Sequence, residues 1–168
     1  KGEKFESYPN RDSLPYIKEY NFPPQWKIKD FIRGTLRLNG WTDAWKEIFS
    51  MLEKPTDDLE KNIKTKSDEL WSKYQYNENE KDRVVLSVQL DALENEKVIW
   101  SSCYELDEIG SGENSAMAKL VSITLSAGID LILDDKLKAG VQAAPSDKKI
   151  IEYFFKILKE HHINIHKK

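Results

Sequence analysis

The sequence predicts an α+β fold, because runs with the two-residue period of a strand are separated by runs with the spacing of an amphipathic helix. Residues 30–40 show the strand period, with apolar and polar side chains alternating along the run. Helical spacing of apolar residues follows at 41–53. The strand period returns in residues 84–104, where the segment 94–97 separates two alternating runs and predicts a hairpin.

The first 40 residues are predicted to form loops, turns and that first strand. Four prolines exclude a long helix before it: Pro9, Pro15, Pro23 and Pro24. The helix at 41–53 is expected to end before Pro55. Thr56 is the expected N-cap of a second, highly charged helix over about residues 57–76.

Two more helices are predicted after the hairpin. The first covers residues 115–127 or so and is expected to end at Gly128 in a left-handed cap. It is apolar almost all round, so we expect it to be buried on more than one side, and any part of its surface that this chain alone does not bury to be exposed or covered by a second copy of the chain. Ser146 is the expected N-cap of the last helix, whose apolar stripe contains Ile150, Ile151, Phe154, Phe155 and Leu158.

Composition and charge narrow the possible partners. The chain has 168 residues, 39% of them hydrophobic, which is enough for one core. Charges of both signs are interspersed and the net charge is −3, so we expect no nucleic-acid partner and no anionic membrane surface. The apolar run at 120–133 is shorter than the ~20 residues that span a bilayer. The single cysteine, Cys103, is compatible with a reducing cytoplasm, where we expect the protein to act.

One face of the strand in residues 30–40 carries Arg33, Thr35 and Arg37. Guanidinium groups bind carboxylates through two parallel hydrogen bonds, so this face suits an anionic ligand. The spacing alone leaves an alternative, in which these arginines are solvated surface residues whose ion pairs are worth less than about 1 kcal/mol.

Two sequence blocks resemble the substrate-domain signature of the saccharopine dehydrogenase (saccharopine reductase) family. They are Y-P-N-R-D-S at 8–13 and R-G-T-L-R-L-N-G at 33–40. Two later blocks show the same resemblance: Gly112 with S-A-M-A-K at 115–119, and G-V-Q at 140–142. The four blocks are spread over nearly the whole chain, so the resemblance identifies the chain as a member of this family.

The resemblance implies an NAD- or NADP-dependent oxidoreductase of lysine metabolism. Such enzymes interconvert saccharopine with glutamate plus 2-aminoadipate semialdehyde, or with lysine plus 2-oxoglutarate. The chain begins at Lys1 rather than Met, which suggests that it is the C-terminal part of such an enzyme and is inactive alone. An N-terminal Rossmann domain, outside this chain, is expected to bind most of the cofactor.

The resemblance also implies a particular architecture. Residues 1–40 and 82–168 would form a mixed-sheet substrate domain, similar to the C-terminal domain of glyceraldehyde-3-phosphate dehydrogenase. Residues 41–81 would form a small helical insertion.

The family's substrate contacts fall on Arg11, Thr35, Leu36 and Arg37 of this chain, and Arg33 is a further candidate from the arginine face. Saccharopine carries three carboxylates, so its site needs several cations, and these arginines would supply them. The chain has Leu38-Asn39 where the family usually has Tyr-Lys, which concerns the fine substrate specificity.

The sequence is also compatible with other functions and sites. The chain could belong to a relative that oxidises a carboxylated polyamine, or it could be a non-catalytic dimerisation module, and a homodimer is possible in either case. The segment Gly110-Ser111-Gly112 precedes a helix N-terminus and could receive an anion, although a flexible lead-in fits it better. No metal site is expected, because His161, His162 and His166 lack a carboxylate or cysteine cluster at ligand spacing.

Overall fold

The computed structural model describes residues 2–112 and 114–168, and the chain divides into two compact units. Unit 1 contains the described residues up to 18 together with 22–80, and unit 2 contains 19–21 and the described residues from 81 onward. Each unit combines helices with antiparallel strands. The α+β class is therefore confirmed.

Unit 1 is built on a two-stranded antiparallel ribbon. Strand β1 (Phe5–Pro9) pairs with β2 (Gly34–Leu38), and the short helix α1 (Pro15–Glu19) lies between them in sequence. Helix α2 (Trp41–Glu53) follows β2 directly, and α3 (Leu59–Lys73) follows α2. The predicted strand is confirmed over the five residues of β2, and the predicted helix at 41–53 has the observed bounds.

The predicted start of α3 is wrong. Its N-cap is Asp58, not Thr56. The Leu59 amide donates to the Thr56 carbonyl at 3.0 Å, which forms a separate turn, and the first helical hydrogen bond runs from the Asn62 amide to the Asp58 carbonyl. Residues 56–59 therefore form this turn, and the helix begins at Leu59 rather than directly after Thr56.

Unit 2 is built on a long hairpin with a short third strand. Strand β3 (Arg83–Glu94) pairs with β4 (Lys97–Ile109), and β5 (Ile165–Lys167) pairs with the other edge of β4. The two turn residues, Asn95 and Glu96, both have positive φ angles, of 48° and 63°. Two positive φ values define the turn type that matches the twist of a hairpin.

Two helices of unit 2 differ from the predicted bounds. Helix α4 (Ala116–Leu133) passes through Gly128 and ends one and a half turns later, where Asp135 takes a left-handed φ of 54°. Helix α5 (Lys148–Glu160) is capped by Asp147, not Ser146. The Asp147 carboxylate accepts hydrogen bonds from the amides of Lys149 at 2.8 Å and Ile150 at 3.2 Å. An aspartate one residue beyond the serine thus satisfies two open amides.

Helix α4 leaves part of its apolar surface exposed, which is one of the two alternatives predicted for the surface that this chain alone does not bury; cover by a second copy stays a prediction. Ala116, Ala127 and Leu131 are buried, and α4 packs against β3 and α5. Several apolar side chains elsewhere on the helix are more than half exposed: Met117, Val121, Leu125, Ile132 and Leu133. By length and composition alone, α4 is also apolar enough to cross a membrane.

Every strand pair among the described residues is antiparallel, whereas a mixed sheet was predicted. The likeness to the C-terminal domain of glyceraldehyde-3-phosphate dehydrogenase stays a prediction, as does the assignment of residues 41–81 to an insertion. The buried apolar residues are Ile48 in unit 1 and, in unit 2, Leu106, Ala116, Ala127, Leu131 and Ile163.

Candidate functional site

The strand face predicted to bind an anion lies in unit 1, on the β1–β2 ribbon. Thr35 pairs directly with Tyr8, and Arg37 pairs directly with Glu6. Residues that face each other in an antiparallel ladder lie on the same side of the sheet. Thr35, Arg37, Tyr8 and Glu6 therefore share one face, and Leu36 lies on the opposite face, as the alternation predicts.

Arg37 is exposed and is held by a tyrosine. Its Nη2 donates a long hydrogen bond of 3.4 Å to the Tyr8 hydroxyl, and its guanidinium carbon lies 5.8 Å from the centroid of the Tyr8 ring. Arg37 makes no ion pair with any residue that the structure describes. Its charge is therefore open to an anionic ligand.

Glu6 lies across the ladder from Arg37 but is engaged elsewhere. Its carboxylate accepts hydrogen bonds from the backbone amide of Thr42 at 2.6 Å, from the Thr42 hydroxyl at 2.5 Å and from the backbone amide of Gly40. These groups form the N-terminus of α2, where a negative charge is favourable. The hydrogen bonds, that from the Thr42 hydroxyl foremost, hold the pKa of Glu6 below its ordinary value. Glu6 is thus the cap of α2 rather than the partner of Arg37.

A buried serine joins the two sequence blocks that carry the family resemblance. The Ser13 hydroxyl accepts a hydrogen bond from the Arg33 amide at 3.0 Å and donates one to the Arg11 carbonyl at 3.3 Å. The Asn10 amide also donates to the Arg33 carbonyl, at 3.0 Å. The turn that contains Arg11 is therefore fixed beside the residue that precedes β2.

The other two candidate arginines also lack a carboxylate partner in the part of the chain that the structure describes. The Arg33 guanidinium lies 4.0 Å from the centroid of the Tyr16 ring, a cation–π contact with α1. Arg11 is exposed, and within the described part of the chain neither it nor Arg33 forms an ion pair. Unit 1 thus carries three guanidinium groups that have no carboxylate partner among the described residues, which is the chemistry that suits an anionic ligand.

An aromatic platform beside this surface was not predicted from the sequence. The rings of Tyr8 and Trp41 stack with centroids 4.8 Å apart and an angle of 12° between their planes. Trp41 in turn contacts Trp45 and Phe49 along α2, at 5.1 and 5.6 Å. The tryptophans have the spacing of a core stripe, and only the strand pairing reveals that Tyr8 joins them.

The possible anion site at Gly110-Ser111-Gly112 is excluded by a carboxylate of the chain itself. Asp82 accepts hydrogen bonds from the amides of Ala116 at 2.8 Å and Met117 at 3.0 Å, at the start of α4. The Ser115 hydroxyl accepts a further one from the Ala118 amide, at 3.0 Å. The Met117 and Ala116 bonds hold the pKa of Asp82 below its ordinary value. The N-terminus of α4 is therefore already capped.

Metal ligation finds no support in the described residues, which contain no group of three or more histidine, cysteine, aspartate or glutamate side chains placed to hold an ion. His166 lies in β5, where it pairs with Glu105 in the ladder. Cys103 is a half-buried thiol in β4.

Comparison with known proteins agrees with the sequence blocks. The family model of the saccharopine dehydrogenase C-terminal domain matches residues 1–163 of the chain. A saccharopine dehydrogenase described as NADP(+), L-glutamate-forming, from Pyricularia oryzae (strain 70-15), is 26% identical over 228 aligned residues, which cover 95% of this chain and 50% of the relative. The chain thus spans about half the length of that curated relative, and the alignment is longer than the chain, so the relative contains residues in this region that the chain lacks.

No solved structure matches the chain. The match of the family model over nearly the whole length, together with the curated relative, shows the family directly. This chain belongs to the saccharopine dehydrogenase C-terminal domain family.

Proposed function

We propose that the chain is the substrate-binding part of an NAD(P)-dependent saccharopine dehydrogenase-like oxidoreductase of lysine metabolism. The observation that carries this proposal is the set of three arginines on two linked segments of unit 1, none of which has a carboxylate partner among the residues that the structure describes. A substrate with three carboxylates needs several such cations. The name of the Pyricularia oryzae relative favours the reaction that releases glutamate and uses NADP.

In this proposal each site residue has a defined part. Arg11 and Arg37 bind substrate carboxylates through charge-assisted hydrogen bonds, and Arg33, on the Tyr16 ring, adds positive charge beside them. The Thr35 hydroxyl and the backbone groups of Leu36 orient the rest of the molecule. A nicotinamide cofactor held by the rest of the enzyme would supply the hydride acceptor for oxidation of the secondary amine of saccharopine, which also loses a proton, and with water the net products would be glutamate and 2-aminoadipate semialdehyde.

Cofactor binding is assigned mainly to a nucleotide-binding half outside this chain. The helix N-terminus in unit 2 that follows a glycine-rich segment is occupied by Asp82 and does not fit a cofactor phosphate. The substrate-binding residues of unit 1 cannot by themselves place a nicotinamide against the reacting carbon. We therefore expect the chain to be inactive without that half. A cytoplasmic location stays a prediction.

Steady-state kinetics of the full-length enzyme tests the proposal. We expect Arg11→Ala and Arg37→Ala each to lower kcat/KM for saccharopine by roughly 30- to 1000-fold, the cost of about 2–4 kcal/mol for losing a charge-assisted contact in a desolvated site. The KM for the nicotinamide cofactor should stay unchanged. Replacement by lysine should restore activity only in part, because an ammonium keeps the charge but not the planar fork.

Arg83 provides the matched control. It is the fourth arginine of the chain, lies in unit 2 and is paired with Asp107. Arg83→Ala should leave kcat/KM for saccharopine unchanged. Wild-type kcat/KM in both Arg11→Ala and Arg37→Ala would show that the substrate assignment is wrong. A lower KM for a carboxylated polyamine than for saccharopine would instead favour the polyamine-oxidising relative.

A second candidate function, a dimerisation module, is favoured by the exposed apolar residues of α4. Met117, Val121 and Leu125 are 56%, 56% and 62% exposed at intervals of four residues, so they form one stripe along the helix. Analytical ultracentrifugation of the chain tests this alternative. A concentration-dependent dimer that Leu125→Glu abolishes would support it, and a monomer at every concentration would exclude it.

A further inference from the structure

Tyr8 is the residue that contacts the exposed guanidinium of Arg37. The Tyr8 hydroxyl accepts the hydrogen bond from Arg37 Nη2 at 3.4 Å, and the guanidinium lies within 6 Å of its ring centroid, at 5.8 Å. Arginine has a long side chain with many rotamers, and ordering it at a ligand costs conformational entropy. A contact that restrains the side chain before the ligand arrives reduces that cost.

The Tyr8 ring is itself held in place by a rigid element. It is half-buried and stacks on Trp41, with centroids 4.8 Å apart. Trp41 is the first residue of α2 and contacts Trp45 and Phe49 of the same helix. The position of the Tyr8 hydroxyl therefore follows that of α2 rather than that of a mobile loop.

Glu6, the carboxylate that could compete with a ligand for Arg37, is already hydrogen-bonded to other groups. Glu6 faces Arg37 in the ladder, yet its oxygens accept hydrogen bonds from Gly40 and Thr42. A neutral hydroxyl thus orients Arg37 without neutralising its charge. This combination leaves the guanidinium both ordered and positively charged toward solvent.

We propose that Tyr8 is a positioning residue, which holds the Arg37 guanidinium in the orientation that receives a carboxylate of the substrate. The proposal rests on the proposed function, in which Arg37 binds that carboxylate. Tyr8 acts through Arg37, so its effect exists only while Arg37 is present.

A double-mutant cycle in the full-length enzyme tests this inference. Tyr8→Phe keeps the ring and its stacking on Trp41 and removes only the hydroxyl. We expect it to raise the KM for saccharopine about 3- to 10-fold, the usual effect of losing one hydrogen bond. The kcat, the KM for the nicotinamide cofactor and the thermal midpoint should stay near their wild-type values. In an Arg37→Ala background, Tyr8→Phe should have no further effect on the KM.

Tyr76→Phe is the matched control, because it removes a hydroxyl from a tyrosine that is 71% exposed and outside the ribbon. It should match the wild type in every measurement. If Arg37→Ala itself leaves the KM for saccharopine unchanged, the proposed function fails. If Arg37→Ala raises the KM but Tyr8→Phe does not, or raises it equally with and without Arg37, the positioning role of Tyr8 is wrong while the proposed function stands.

Discussion

The two units differ in whether their arginines form ion pairs with carboxylates of the described chain. In unit 2, Arg83 donates from Nε and Nη2 to the two carboxylate oxygens of Asp107, both at 2.7 Å. In unit 1, Arg11, Arg33 and Arg37 have no carboxylate partner in the described chain. Arg83 joins β3 to β4 through an ion pair, whereas Arg33 and Arg37 contact the uncharged side chains of Tyr16 and Tyr8.

Unit 1 also contains carboxylates that accept hydrogen bonds from backbone amides instead of from arginines. Glu6 caps α2, and the Asp12 carboxylate accepts a hydrogen bond from the Leu14 amide at 3.1 Å, at the start of α1. An acid near a helix N-terminus gains from open N–H groups and from the helix dipole. The acids and the arginines are therefore kept apart within the same small unit. Substitutions of unit 1 arginines should change ligand binding, and substitutions in unit 2 should change stability.

The core of unit 2 should show the largest stability effect. Leu131 of α4 is 2% exposed, and Leu133, two residues later, is 76% exposed. We expect Leu131→Ala to lower the free energy of unfolding by about 2–5 kcal/mol, because it leaves a cavity in a packed site. Leu133→Ala is the matched control and should stay within about 0.5 kcal/mol of the wild type. Urea denaturation of the two variants measures both values, and equal losses would contradict the assignment of Leu131 to the core.

Gly110 should give the next largest effect. A Cβ at this buried position would collide with the Asp82 carboxylate and would lie 3.1 Å from the Ala116 amide nitrogen. Gly110→Ala must therefore displace the cap of α4, at a cost of about 1–3 kcal/mol.

Gly128→Ala is the control for that substitution, because nothing lies within 4 Å of the added Cβ and the residue is inside α4. Alanine is the better helix former, so Gly128→Ala should stabilise the chain by roughly 0.5–1 kcal/mol. Thermal or urea unfolding checks the opposite signs. Destabilisation by Gly128→Ala would show that α4 is packed more tightly there than the structure indicates.

The sequence predicts well those features that depend on residues close together in the chain. The helix at 41–53, the strand at 34–38 and the hairpin turn at 94–97 follow from local periodicity and turn residues. Helix ends were harder to predict. Continuation of α4 through Gly128 depends on apolar packing against β3 and α5, which local glycine propensity does not report.

In the candidate site, too, the sequence predicts the features that depend on neighbouring residues and not those that depend on residues far apart in the chain. The alternation places Thr35 and Arg37 on one face without any structure. The link from Arg11 through Ser13 to Arg33 spans 22 residues, and the cap of α4 by Asp82 spans 34. Such contacts are set by strand register and loop geometry, so the sequence shows the groups but not their pairing. The three-residue strand β5 is too short for a two-residue period to be recognised.

Replacement of a single arginine should change the free energy of unfolding more in unit 2 than in unit 1. The Arg83–Asp107 pair is partly exposed, so Arg83→Ala should lower the free energy of unfolding by no more than about 1 kcal/mol. Arg37→Ala removes a charge that has no ion-pair partner among the described residues and should change the free energy of unfolding by less than about 0.5 kcal/mol. Chemical denaturation in low and high salt checks the assignment, because only the loss in Arg83→Ala should shrink as salt screens the pair. A larger loss in Arg37→Ala would mean that Arg37 holds unit 1 together.

The smallest effect should be on how the free energy of unfolding changes at acidic pH. The amide hydrogen bonds from Met117 and Ala116 lower the pKa of Asp82 from its ordinary value of 3.8. A carboxyl whose folded-state pKa is lowered stabilises the fold fully above its ordinary value, and this stabilisation is lost as the pH falls through the lowered value. Asp82→Asn removes the titrating group, so its free energy of unfolding should lie below that of the wild type at neutral pH and approach it as the pH falls below the ordinary value. The pKa of Glu6 in unit 1 is lowered in the same direction by the Thr42 hydroxyl, so Glu6→Gln should show the same pattern. Urea denaturation over a series of acidic buffers measures both differences, and a gap between wild type and variant that stays constant over the whole acid range would show that these two caps do not act through their charge.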